Sequence, residues 1–199
     1  MKKIFLGLAL AAGTFAFAQK TTTNTSTSAS SPVRFGLKAG LNVSSFSGND
    51  SKSKAGFYGG VFANIPVAQD FSFQPEVLYS GMGAKSKADS NAKVNLDYIS
   101  VPLMLQYNAL PNLYLEAGPQ FSFLINSKLK YKSNSADGKD LFKSFDFGLG
   151  IGAGYYFTQN IGVTARYVAG LTDILKNRPD LSEDKSKNGV FQVGLAYKF

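Results

Sequence analysis

Residues 144–156 read SFDFGLGIGAGYY, with glycine at positions 148, 150, 152 and 154. Between the glycines stand Leu149, Ile151 and Ala153, and Phe145, Phe147 and Tyr155 continue the same set. A dinucleotide-binding loop needs G-x-G-x-x-G leading into a helix, a spacing these glycines never supply. A flexible linker would not carry a ladder of Phe, Leu and Ile. Period two marks a strand, because successive side chains point to opposite faces of a sheet. The stretch is a strand with one apolar face and one face made of Asp146 and glycine.

The same period recurs along the chain. Phe35, Leu37, Ala39, Leu41 and Val43 alternate with Arg34, Gly36, Lys38, Gly40 and Asn42. Phe57, Val61, Ala63 and Ile65 form a second apolar row, and Phe71, Phe73, Val77 and Tyr79 a third, set against Gln74 and Glu76. Ile99, Val101, Leu103 and Leu105 make the fourth. Leu113, Leu115, Ala117, Phe121 and Phe123, opposed by Glu116, Gln120 and Ser122, make the fifth. The opening stretch is the sixth. Ile161, Val163, Ala165 and Tyr167 oppose Thr164 and Arg166 in the seventh, and Phe191, Val193, Leu195, Tyr197 and Phe199 oppose Gln192 and Lys198 in the eighth. These lengths approach or exceed the roughly 9–11 residues with which a tilted strand crosses a bilayer. The expected fold is all-β, an eight-stranded antiparallel up-and-down transmembrane β-barrel.

Alternation alone does not say which face is inside. A soluble barrel buries its apolar face; a membrane barrel turns it to lipid and keeps a polar lumen. Three features select the membrane arrangement. The polar face is largely glycine with a few long side chains, and eight strands enclose a space only just wide enough for side chains. The apolar rows carry no charge, whereas Lys52, Lys54, Lys85, Lys87, Lys93, Lys128, Lys130, Lys132 and others fall between strands. Long polar connections also alternate with the short PVAQD, NALPN and TQN, as in outer-membrane barrels with short periplasmic turns and longer outer loops. Phe71, Tyr107, Tyr155, Phe157 and Phe199 lie beside the short turns, where an aromatic girdle belongs. The alternative architecture is a soluble periplasmic barrel around an apolar ligand.

The 199 residues include neither cysteine nor histidine, which removes thiol chemistry, the commonest general base and the commonest zinc ligand. Lys2 and Lys3 precede IFLGLALAAGTFAFA, a basic start and apolar run ending in Ala16-Phe17-Ala18. This pattern predicts a signal peptide over 1–18, a disordered polar leader over 19–32 and the barrel over 33–199. The net charge of +8 is spread among connections of an exported chain, so nucleic acid is not an expected partner.

Gly36-x-Lys38-x-Gly40-x-Asn42, Gly56-Phe57-x-Gly59-Gly60, Pro75-Glu76-x-x-Tyr79, Tyr98-x-x-x-Pro102-Leu103 and Gly118-Pro119 together resemble the PorT-like, or porin-like, outer-membrane β-barrel domain family. The resemblance runs over the whole chain after the leader and implies an outer-membrane location. Tyr197-x-Phe199 resembles the C-terminal signal read by the barrel-assembly machinery. One member of that family takes part in protein secretion across the outer membrane, which makes a secretion-linked or small-solute pore component the alternative function.

Buried charges must be paired. Lys38, Asn42, Glu76, Glu116, Gln120, Asp146, Arg166 and Gln192 are therefore expected to form a structural polar network in the lumen, with no catalytic, cofactor or metal role. Lys128, Lys130 and Lys132 read first as a solvated strand extension, and alternatively as an anion-binding loop for an anionic glycolipid or an envelope protein. Asp180, Glu183 and Asp184 match no EF-loop spacing. The expected protein is a monomer with both termini periplasmic, its partners being outer-membrane lipid and, during biogenesis, the assembly machinery. Its expected role is structural, adhesive or accessory, and not enzymatic.

Overall fold

The computed structural model describes residues 33–46, 51–86, 92–131, 134–137, 143–172 and 188–199. The segments expected to be signal peptide and leader lie outside them, as do Lys132, Asp180, Glu183 and Asp184. The strands are β1 (Arg34–Phe46), β2 (Ser51–Pro66), β3 (Phe71–Ser86), β4 (Ala92–Leu110), β5 (Leu113–Tyr131), β6 (Asn134–Asp137), β7 (Phe145–Tyr156), β8 (Ile161–Gly170) and β9 (Asn188–Lys198). All pairings are antiparallel, in the order β4-β3-β2-β1-β9-β8-β7-β5, and a β4–β5 pairing closes the ring. The short β6 pairs only with the tip of β5, through Lys128–Tyr131. The barrel proper therefore has eight strands.

Backbone pairing runs further than the apolar rows. Ser51 to Ala55, Gly83 to Ser86 and Ser127 to Tyr131 are polar stretches beyond the apolar rows, yet they continue β2, β3 and β5. Ladder hydrogen bonds need only backbone groups, so a strand can outlast its apolar face. The short turns are tied locally: the backbone N–H groups of Asn160 and Ile161 donate to Thr158 Oγ1 at 3.2 and 2.8 Å.

The lumen is not mainly glycine and ions, as the alternation suggested. Its short-turn end is filled by the apolar cluster Phe62, Tyr114, Tyr156 and Ala196. Its opposite end is filled by Met82, Leu96, Tyr98, Val168 and Val190. The glycines explain how rings fit inside so narrow a ring of strands. A Cβ built on Gly154 would lie 2.3 Å from the Tyr114 ring, and one on Gly36 would lie 2.3 Å from the Phe62 ring. Aromatic side chains from one strand thus lie flat across glycine on another.

Adjacent glycines in β2 make the argument testable. A methyl on Gly60 would meet Val77 O at 2.0 Å and Leu78 Cα at 2.8 Å, whereas one on Gly59 meets nothing closer than Lys38 O at 3.6 Å. Gly60→Ala is expected to lower stability by about 1–3 kcal/mol through overpacking. Gly59→Ala is expected to be neutral, or stabilising by up to about 1 kcal/mol. Urea unfolding from lipid vesicles, followed by the gel shift of the folded band, measures both. Equal effects would show that strand proximity does not govern these sites.

Three prolines stand on neighbouring strands where a ladder lapses. The β2–β3 register skips Asn64 and Ala63 opposite Gln74 and Pro75. The β3–β4 register skips Glu76 and Val77 opposite Pro102 and Val101, and the β4–β5 register skips Leu103 and Met104 opposite Pro119 and Gly118. Proline lacks the N–H that a rung requires.

Candidate functional site in the barrel lumen

Between the two apolar clusters the barrel carries four charges. Lys38 comes from β1, Glu76 from β3, Glu116 from β5 and Arg166 from β8, all on inward positions and all at most 4% exposed. Lys38 Nζ donates to Glu76 Oε1 at 2.7 Å. Arg166 forks onto Glu76, Nη1 to Oε2 at 2.9 Å and Nη2 to Oε1 at 2.8 Å, while its Nε donates to Glu116 Oε1 at 2.7 Å. Two cations thus face two carboxylates, and the planar guanidinium serves both acids at once.

An amide shell completes the cluster. Gln74 Nε2 donates to Glu76 Oε1 at 2.8 Å and Gln106 Nε2 to Glu116 Oε2 at 3.0 Å. Asn64 Nδ2 donates to Gln106 Oε1 at 2.9 Å and to Gln74 Oε1 at 3.3 Å. Every carboxylate oxygen of Glu76 and Glu116 therefore accepts at least one hydrogen bond. The Asn64–Gln74 bond joins β2 to β3 where the ladder skips a rung beside Pro75. Side chains tie the wall together where backbone does not.

The other residues expected in this network are all buried but do not all join it. Gln192 Nε2 donates to Asn42 Oδ1 at 2.9 Å, and Asn42 Nδ2 donates to Ser80 Oγ at 3.0 Å and Gly81 O at 3.2 Å, a separate chain across β9, β1 and β3. Gln120 donates weakly to Ser122 Oγ at 3.4 Å, and its Oε1 has no partner. Asp146 stands apart from Lys38 and Arg166, and accepts from the Thr172 hydroxyl at 2.5 Å. The reason is height. Asp146 is opposite Ser122 in the ladder, near the start of β7, whereas Arg166 lies opposite Gly152, six residues along that strand. Alternation assigned Asp146 to the correct face but gave no level.

Asn64, Gln74 and Gln106 were not among the expected residues. Gln74 was detectable two positions before Glu76 on the same face; Gln106 needs the β4–β5 register, which sets it opposite Glu116. Lys128 is exposed on β5, with the backbone of Lys130 two positions on. Tyr197 and Phe199 are both exposed on the outer wall, with ring centroids 5.3 Å apart and edge to face.

The outer wall has the opposite character. Phe35, Leu41, Phe57, Val61, Leu105, Ile151, Val163, Val193 and Leu195 are all substantially exposed. Aromatic side chains border this surface beside the short turns, among them Phe71 and Tyr107 with centroids 5.2 Å apart.

No curated protein matches the sequence. Among solved structures, the barrel is similar to Neisserial surface protein A, with 16% identity, a TM-score of 0.56, and 83% of this chain and 97% of that one covered. It is also similar to the attachment invasion locus protein of Yersinia pestis, with 14% identity, a TM-score of 0.52, and coverage of 83% and 98%. At these identities the likeness speaks to fold alone. The family model for the outer membrane protein beta-barrel domain matches residues 17–176. A closed ring of eight antiparallel strands, greasy outside and charged within, is accounted for by that match: the chain belongs to the outer membrane protein beta-barrel domain family.

Proposed function

We propose that the protein is an exported, monomeric, integral outer-membrane barrel with a closed lumen, acting through its outer surface in a structural, adhesive or accessory role. The observation that carries this reading is the filling of the barrel in three successive layers. An apolar cluster lies at the short-turn end, the Lys38–Glu76–Arg166–Glu116 cluster in the middle, and a second apolar cluster beyond it. Eight strands leave room for little else. Catalysis is outside this reading, since each oxygen of the central carboxylates is engaged by a cation or an amide.

In this proposal the short-turn end faces the periplasm and carries both ends of the barrel. Arg34 Nε donates to the Phe199 carbonyl at 3.3 Å, and the Phe199 N–H donates to the Phe35 carbonyl at 2.8 Å. Residues 1–18 direct export and are removed, and Tyr197 and Phe199 present the assembly signal from the outer wall. The long-connection end, where Lys128 is exposed, suits an anionic partner. A similar barrel, the attachment invasion locus protein of Yersinia pestis, has been solved with the heparin analogue sucrose octasulfate.

Planar-bilayer recording tests the closed lumen. The purified protein is expected to insert without steady conductance. Sustained single-channel steps would overturn the reading in favour of a small-solute or secretion-linked pore component. Recovery of the protein in the soluble periplasmic fraction would instead reject the membrane location.

A further inference from the structure

The outer wall changes chemistry abruptly at one place. Above the outward row Tyr79, Ile99 and Phe123, the next ladder row is Gly81 opposite Asp97 opposite Asn126, and Asn95 opposite Lys128 follows. Asn126 reaches this face because Ile125 is an extra residue in β5, where the register slips between Asp97 and Tyr98. Gly81, Asn95, Asp97, Asn126 and Lys128, with Lys54 to Phe57 of β2, line a crevice of about 330 Å³ at the long-connection end of β2–β5.

Gly81 hollows the crevice, and the chain itself does not require a glycine there. Its φ is not in the left-handed region, unlike that of Gly83 at +142°. A Cβ on Gly81 would come no nearer than 3.4 Å to Phe57 O and 3.9 Å to Asp97 Oδ1. A methyl would be in ordinary contact there without a clash, and the floor that Gly81 forms is bordered by unlike groups. Asp97 Oδ2 accepts from Asn126 Nδ2 at 2.9 Å, the Tyr79 hydroxyl also hydrogen-bonds this carboxylate, and Oδ1 lies beside the hollow. Lys128 is exposed, and the Phe57 and Tyr79 rings, with centroids 5.4 Å apart, form the border toward the apolar band.

We propose that this crevice holds the phosphorylated sugar head group of a glycolipid lodged in the leaflet at the long-connection end. A bare phosphate would meet Lys128 and the Lys54 side of the crevice but be repelled by Asp97. Sugar hydroxyls can donate to that carboxylate and exchange hydrogen bonds with the Asn95 and Asn126 amides, while the ammonium takes the phosphate. The crevice opens beside Phe57 on the apolar wall, which favours a head group anchored by acyl chains over a soluble sugar phosphate. The inference rests on the reading that this wall faces lipid.

Native mass spectrometry of the full-length protein in detergent, titrated with lipid A, tests it. One saturable lipid A adduct is expected. Lys128→Gln is expected to weaken binding by about tenfold or more, the loss of one charge-assisted contact. Asp97→Asn separates the chemistries by sign: weaker binding supports a sugar head group, whereas tighter binding marks a simple anion site and overturns the proposal. Gly81→Val should abolish the adduct by filling the hollow. Lys128→Gln binding like the wild type, or equal competition by phosphatidylglycerol, would overturn it. Displacement by glucosamine 1-phosphate at equal concentration would overturn the membrane-lodged source. Heat-modifiable insertion of each protein into phosphatidylcholine vesicles without lipid A is scored separately. Failure of the wild type there sinks the lipid-facing wall, and failure of binding alone sinks only the head-group site.

Discussion

Arg166→Met is expected to destabilise the folded barrel by about 3–5 kcal/mol, the range for removing one partner of a buried ion pair. Methionine keeps much of the volume but leaves Glu76 and Glu116 with only Lys38 between them. Glu76 retains its 2.7 Å contact with Lys38, whereas Glu116 loses the cation on its Oε1 and keeps only Gln106. The lumen then carries one uncompensated negative charge in a site closed above and below by apolar side chains. Adding Glu116→Gln restores neutrality, and the double variant is expected to recover about half or more of the loss, because residues in one network couple strongly. Refolding into phosphatidylcholine vesicles across a urea series, scored by the folded gel band, measures single and double variants together. A double variant no more stable than Arg166→Met would show that Arg166 matters as packed volume and not as charge.

That cluster also shows where reading the sequence reaches its limit. Alternation separates the two faces of each strand, so Lys38, Glu76, Glu116 and Arg166 could be placed inside before any coordinates. Their meeting is another matter, because Glu76 and Arg166 are 90 residues apart. Contact depends on the level each occupies, and level is set by strand stagger, turn length and bulges, which leave little trace in composition. Asp146 shows the cost, since it shares their face and misses their level. The bulge at Ile125 is a second case: beyond it Ser127, not an even-numbered neighbour, turns inward and is 1% exposed. Tyr58, Phe62, Tyr98, Tyr114 and Tyr156 are a third. They occupy nominally polar positions, and glycines opposite or beside Tyr58, Phe62, Tyr114 and Tyr156 show how those rings are accommodated, while Tyr98 stands opposite Ser80 and Leu124.

Ile151→Arg is expected to cost about 2–4 kcal/mol, the penalty for a cation on the lipid face near the bilayer midplane. Ile151 is midway along β7, points outward with 63% of its surface exposed, and is flanked in the ladder by Ala117 and Tyr167. No hydrogen bond or packed core is lost by the change, so in water an arginine there would alter stability by no more than about 0.5 kcal/mol. The penalty comes from hydrocarbon alone. Phe157 is the matched control: 53% exposed, but just past the short-turn end of β7 at the aromatic border. Phe157→Arg is expected to cost only about 0–1 kcal/mol, because the penalty fades toward the interface. Exposure is similar at the two sites and depth is not, so the difference between them reports the solvent that the wall meets. Urea-driven unfolding from phosphatidylcholine vesicles gives both values under one condition. Equal costs would mean that the apolar wall does not face hydrocarbon, and the membrane location would fall with it.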